Sequence, residues 1–156
     1  MELKELKLAA DRLGADFVAE LGRQLIQADK VASGKLLKSL NYQVIEVLEN
    51  VLIKINAEDY LSVVDKGRRP GKMPPISPIK KWMEIRKIKG RGKDGRFIKQ
   101  DQAAFLIARA IGKNGIKPTN VIKKSIDTIL KTKKELLSKA AAKDVQNLLN
   151  KILVTK

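Results

Sequence analysis

The chain has 156 residues, with 33 Lys/Arg against 17 Asp/Glu for a formal net charge of +16, and it lacks both cysteine and histidine. That composition excludes disulfides, thiolate chemistry, the commonest general base and the commonest metal ligand. The length predicts one domain spanning 1–156, and the charge steers it toward a polyanion: nucleic acid, an anionic membrane or an acidic protein surface.

The first residues, Met-Glu-Leu-Lys-Glu-Leu-Lys, mix charge with leucine and lack the basic and then apolar run of a signal peptide. No apolar stretch approaches the ~18 residues that a membrane span needs. A soluble, intracellular protein without membrane association is therefore expected. Leu3, Leu6, Ala10, Leu13, Phe17 and Leu21 recur at helical spacing. They predict an amphipathic helix over 2–29, with Glu2, Glu5, Asp11, Asp16 and Glu20 on its outer face. Such a helix suits core or intersubunit packing. Ser33-Gly34 breaks it, and a short turn from Lys35 leads into the alternating segment Ser39–Val47. Glu49-Asn50 is a turn signal, after which Val51, Ile53 and Ile55 alternate with Leu52, Lys54 and Asn56. The pair predicts a β-hairpin at about 39–56. A lone hairpin is marginal in water, so either a further strand lies within segments read as helix or neighbouring subunits complete the sheet.

Asp59–Lys66 reads as a short helix or turn stopping at Gly67. Asp65–Pro78 then gathers four of the five prolines with Gly67, Gly71, Lys66, Arg68, Arg69 and Lys72. Proline removes backbone donors and fixes φ, so 66–78 is expected to be a stiff, extended, protruding arm. Ser77-Pro78 reads as the cap and first turn of a helix running to about Lys89, with Trp82 facing inward. Gly90–Gly95 interrupts that helix, and Asp94-Gly95 marks a tight turn in a basic segment, 89–99. Asp101 is expected to cap a helix ending at Asn114-Gly115. Thr119 or Asn120 would cap a long last helix reaching toward Leu153. The predicted fold class is α+β: a small antiparallel sheet packed by N-terminal, central and long C-terminal helices.

Gly90-Arg-Gly-Lys-Asp-Gly95 matches G-x-G-x-x-G formally. A dinucleotide site needs a strand before that motif and a helix opening on its last glycine. Here a helix precedes it and the next helix is delayed, so it reads as a basic turn. The acids Glu46, Glu49, Glu58, Asp59 and Asp65 show no metal-binding spacing. No catalytic residue, metal or cofactor is expected, and the chain does not read as an enzyme.

Binding is the better expectation. From Lys66 to Lys99, thirteen Lys/Arg accompany only two acids, Glu84 and Asp94. Single-strand binders interleave such residues with stacking aromatics, yet Tyr42, Tyr60, Trp82, Phe97 and Phe105 occupy positions that read as core. The nucleic-acid alternative is thus a small basic protein that contacts phosphates without base specificity.

Four pieces in order resemble a known family. They are Ser33-Gly34-Lys35-Leu36 with Ser39-Leu40 before a hairpin, and Tyr60-Leu-Ser-Val-Val-Asp-Lys-Gly67. Then come Gly67-Arg-Arg-Pro-Gly-Lys-Met-Pro-Pro75 ahead of a Trp-bearing helix, and Ala104–Pro118 ahead of a long helix. Their order over about 30–130 is similar to the tail-completion and head–tail joining (neck) proteins of tailed bacteriophages, of the lambdoid minor tail-component type. The resemblance implies a virion structural protein. It would form a homo-oligomeric ring between the portal or connector and the tail tube, with DNA passing through the lumen. Under that reading Arg68, Arg69, Pro70, Lys72, Met73, Pro74 and Pro75 form an intersubunit arm anchored by Trp82 and Phe105. Lys89, Arg91, Lys93 and Arg96 would face either DNA or an acidic adjoining ring.

Overall fold

The two longest helically patterned segments, one early in the chain and one late, become its two longest helices. In a computed structural model, which describes residues 3–47 and 50–154, α1 (Lys4–Gln27) packs along α6 (Val121–Val154). The inward stripe of α1 is Ala9, Ala10, Leu13, Leu21 and Leu25, the three- and four-residue spacing that keeps side chains on one helical face. From α6, Val121 and Ser125 are fully buried, and the Ser125 hydroxyl donates to the Val121 carbonyl at 2.8 Å. That internal bond removes the cost of burying an unpaired hydroxyl.

No side chain at the start of α1 caps it, because Leu3 occupies the N-cap position. The first-turn donors are satisfied from far along the chain. Asp144 of α6, only 2% exposed, accepts the backbone N–H of Glu5 at 3.0 Å and of Leu6 at 2.9 Å. A carboxylate there satisfies two orphan donors and complements the positive end of the helix dipole. Lys143 pairs with Glu5 at 3.0 Å and Lys133 with Asp16 at 3.0 Å along the same seam. Glu20 corrects the expectation of an outer acidic face: it is 7% exposed and holds Gln24 Nε2 at 2.8 Å and Arg23 Nε at 2.9 Å. Those hydrogen bonds, Gln24's first, outweigh its burial and pull its carboxyl below the usual glutamate range.

The turn expected at Lys35 is a short helix, α2 (Lys35–Ser39), which buries Leu36. The Ser39 hydroxyl donates to the Leu36 carbonyl at 2.9 Å and accepts Glu58 N–H at 3.0 Å, closing the base of the hairpin. Strands β1 (Asn41–Val47) and β2 (Asn50–Asn56) pair antiparallel, from Asn41 opposite Asn56 to Val47 opposite Asn50. Asn50 therefore belongs to β2, and Glu49, the other half of the expected turn, lies outside the described residues. Tyr42 turns toward α1. Its ring covers Gly14 so closely that a Cβ there would lie 2.3 Å from a ring carbon, and its hydroxyl donates to Asp11 at 3.1 Å. Strand alternation then sends Ile45, Val47 and Leu52 to the opposite face. Among the described residues the sheet has two strands, and α1 supplies the support that a bare hairpin lacks.

Contact density divides the chain into two compact units, one formed by α1, the hairpin and α6, the other by Lys30–Lys35 and Asp59–Asn120. In the second, α3 (Leu61–Lys66) precedes α4 (Ile76–Ile85) and α5 (Gln100–Asn114). Ile79 and Met83 of α4 pack on Ala103, Ala104 and Ala108 of α5, whose small side chains admit close approach of the two helices. Three expected details change here. Helix α4 starts at Ile76 with Pro75 at its N-cap, so Ser77 is not the cap; Pro78 lies in the first turn, where its missing N–H has no intrahelical partner to lose. It ends at Ile85, closed by Ile88 N–H to Met83 O at 2.8 Å and Lys87 N–H to Glu84 O at 3.1 Å, with Lys87 at φ 53°. Lys99, not Asp101, is the N-cap of α5, while Asp101 pairs with Lys80 at 2.5 Å. Trp82, expected inside, is 40% exposed because the inward stripe of α4 falls on Ile79 and Met83.

The fold is α+β, with six helices and one two-stranded antiparallel sheet among the described residues. Replacing Asp144 by alanine should destabilise the α1–α6 unit by about 1–3 kcal/mol, with Asp144→Asn losing less because one acceptor survives; denaturant unfolding measures both. Glu20 adds an acid-sensitive component. Its stabilisation is complete above the ordinary glutamate range and is lost as pH falls through the depressed value. The wild-type stability should decline there more steeply than that of Glu20→Gln, read from thermal unfolding across an acidic pH series.

Candidate functional site

Two basic segments stand out, and each is built on backbone geometry that only glycine permits. The proline-rich segment after α3 is fastened at two points. Arg68 N–H donates to Ile116 O at 2.9 Å, and Ile116 N–H returns a bond to Arg68 O at 2.8 Å. This one-rung antiparallel bridge is flanked by Gly67 at φ 73° and Gly115 at φ 71°. A Cβ on Gly67 would lie 2.2 Å from the Ile116 oxygen, and one on Gly115 would lie 2.2 Å from the Arg68 oxygen. The second fastening is Gly71 N–H to Gly112 O at 2.7 Å, where Gly112 lets the Gly71–Met73 backbone lie against α5. Arg68 reaches forward to the Lys72 carbonyl at 2.6 Å.

The expected protruding arm is instead a strap, bonded at two points to its own unit. Arg69, Pro70, Lys72, Met73 and Pro75 remain exposed along it, while Arg68 and Pro74 are half-buried. Its fastenings are backbone bonds to the C-terminal end of α5 and to Ile116. The expected anchors, Trp82 and Phe105, are 40% and 43% exposed and join Ile85 and Leu106 as surface apolar groups of α4 and α5.

The second segment forms a small rigid finger. Arg91 and Phe97 face each other as an antiparallel bridge, with Gly92 N–H to Arg96 O at 2.8 Å and Ile98 N–H to Gly90 O at 3.1 Å. Gly95, at φ 77°, turns the tip. The base is seated on the core: Ile98 packs on the α4–α5 cluster, and a Cβ on Gly90 would be 2.4 Å from the Ala103 Cβ. Lys89, Arg91, Lys93 and Arg96 are all exposed, with Asp94 the acid among them, 3.8 Å from the Arg96 Nε. The G-x-G-x-x-G match is thus a hairpin tip and not a phosphate-binding helix start.

Phe97 is the residue that sequence reasoning missed. It is 63% exposed, with the Arg91 guanidinium carbon 4.9 Å and Lys89 Nζ 5.7 Å from its ring centroid, within cation–π range. The available signal was local. In a hairpin after Gly95, neighbouring Phe97 and Ile98 must point to opposite faces, so only one of them enters the core.

Among the described residues no three acidic side chains cluster so as to hold a metal ion, and no helix is long and apolar enough to cross a membrane. Asp65 instead serves the strap unit structurally: its carbonyl accepts Thr119 and Asn120 N–H, both at 3.0 Å, while the Thr119 hydroxyl donates to Val64 O at 2.6 Å.

Gly115→Ala should loosen the strap, since the added Cβ meets both a positive φ and the Arg68 carbonyl. Limited trypsin digestion should then cut after Arg68 or Lys72 markedly faster than in wild type. Gly34→Ala, which shares a positive φ but has open space around it, should leave those cuts unchanged. Comparison of the chain with protein-family models, curated protein sequences and solved structures returns no match.

Proposed function

We propose that this is a structural protein that assembles head-to-tail into a closed ring, in the manner of the bacteriophage neck and tail-completion proteins that its motif order resembles. The observation that carries this reading is the unfinished hairpin. Among the described residues neither strand has a second partner, and Ile45, Val47 and Leu52 are 37%, 47% and 51% exposed on the face away from α1. Exposed edges carrying aliphatic side chains are suited to pairing with another chain.

A closed ring needs a heterologous interface, made of two different surfaces on each subunit. The second surface in this reading draws on the exposed apolar groups of α4 and α5, Trp82, Ile85, Phe105 and Leu106, and on the prefolded strap. A strap already fastened to its own subunit loses little further freedom on docking. Strap residues Arg69, Lys72 and Met73 would then contact the neighbouring subunit, and a portal or connector on one side and a tail tube on the other would be the further partners.

Native mass spectrometry and light scattering of the purified chain test the assembly directly. The expected result is one oligomer larger than a dimer, dissolved by Leu52→Lys without loss of secondary structure. A strict monomer at every concentration, with or without a connector ring, would overturn the proposal.

A further inference from the structure

The finger at 90–98 stands over a groove of about 420 Å³ whose lining includes Phe97, Ile88, Lys87, Lys89, Glu84 and Gln100. Three features distinguish it from an ordinary solvated basic loop. First, Phe97 lines the groove while remaining 63% exposed, and the Arg91 and Lys89 cations that lie over its ring, at 4.9 and 5.7 Å, put positive charge beside an accessible π-surface. Second, the polar groups are sorted. Lys87 and Lys89 are exposed in the lining and Arg91, Lys93, Arg96 and Lys99 continue around the finger, whereas the groove itself holds an amide and a carboxylate, with Gln100 Nε2 donating to Glu84 Oε1 at 3.4 Å. Third, the finger is folded without any ligand: its ladder bonds and the close approach of Gly90 to Ala103 seat it on the α4–α5 core.

We infer that this groove binds a base of single-stranded DNA, stacked on Phe97, with the flanking phosphates neutralised by Lys87, Lys89, Arg91 and Lys93. The chemistry matches part by part. A flat, weakly polar ring suits the exposed phenylalanine; donor and acceptor edges suit Glu84 and Gln100; the phosphates suit the surrounding cations. A duplex keeps its bases stacked on one another and presents phosphates and base edges but no free base face, which leaves the Phe97 ring without a stacking partner. An acidic peptide offers negative charge but no ring, and would bring its carboxylates toward Glu84. Base and phosphate are the two groups that the groove answers. The inference goes beyond ring assembly and does not depend on it.

Fluorescence anisotropy with labelled oligo-dT, beginning at ~50 mM salt, tests it on the full chain. Oligo-dT should bind more tightly than the dT·dA duplex. Phe97→Ala should weaken oligo-dT binding roughly 5- to 150-fold, the range for loss of one stacked base, and Phe97→Tyr should retain it. Phe97→Leu keeps apolar bulk without a π-face and should behave like alanine, which separates stacking from folding. The double variant Lys89→Ala, Arg91→Ala should reduce the log–log salt slope by about 1 to 1.5, at ~0.7 per phosphate contact. Equal or tighter duplex binding with Phe97→Ala unchanged would overturn the inference, as would absence of binding or equal competition by polyglutamate. Tighter binding of oligo-rU than of oligo-dT would overturn the assignment to DNA.

Discussion

Two hydrogen bonds from the start of α1 to the carboxylate of Asp144 join segments 138 and 139 residues apart, and the first compact unit is organised around that joint. Leu3 at the N-cap leaves the first turn of α1 without a local acceptor. Only α6, laid along α1, brings one. Once α1 is held in this way its opposite side becomes a platform: Gly14 receives the Tyr42 ring, and the hairpin gains a support that two strands alone would not have. The ion pairs Lys143–Glu5 and Lys133–Asp16 follow the same seam, but both are solvent-accessible and contribute modestly beside the buried carboxylate. Burial and capping, more than charge pairing, hold this unit.

The second unit solves a different problem, that of fixing polar, proline- and glycine-rich chain in place without a large core. Its apolar cluster is small, built from Ile79 and Met83 against three alanines. The segments around it are fixed by close backbone crossings. Gly67 and Gly115 face each other's carbonyl partners across a single rung, Gly112 admits the strap, and Gly90 admits the finger. These glycines are needed because another chain passes where a Cβ would be. The consequence is that both basic segments are prefolded, and each keeps its charged side chains outward.

That division bears on how a chain of this charge selects a partner. Uniform positive charge attracts every polyanion alike. What lies among the charges differs from surface to surface: proline and methionine on the strap, an exposed phenylalanine ring beneath Arg91 and Lys89 on the finger, and aliphatic side chains on the outer face of the hairpin. Each gives its surface a different complementary chemistry, which is why a protein partner is proposed for the strap and single-stranded DNA for the finger.

Helical periodicity located α1 and α6 within two residues of their ends, and strand alternation located the hairpin, because these patterns record one-dimensional geometry directly. The φ-positive stops at Gly67 and Gly115 were legible for the same reason. The burial of Glu20, the exposure of Trp82 and Phe97, and the fastening of the strap were not. Each depends on which side of an element meets another element, and several residues of similar hydrophobicity compete for that side. In α4, Ile79, Met83 and Trp82 all qualified by composition, and the alanine face of α5 decided in favour of the first two. Local patterns of residue type were thus enough for the α+β class, the order of elements and the concentration of charge between Lys66 and Lys99. That the proline segment is a fastened strap and that Phe97 sits at the surface rather than in the core follows from contacts between separate segments, which no local pattern encodes.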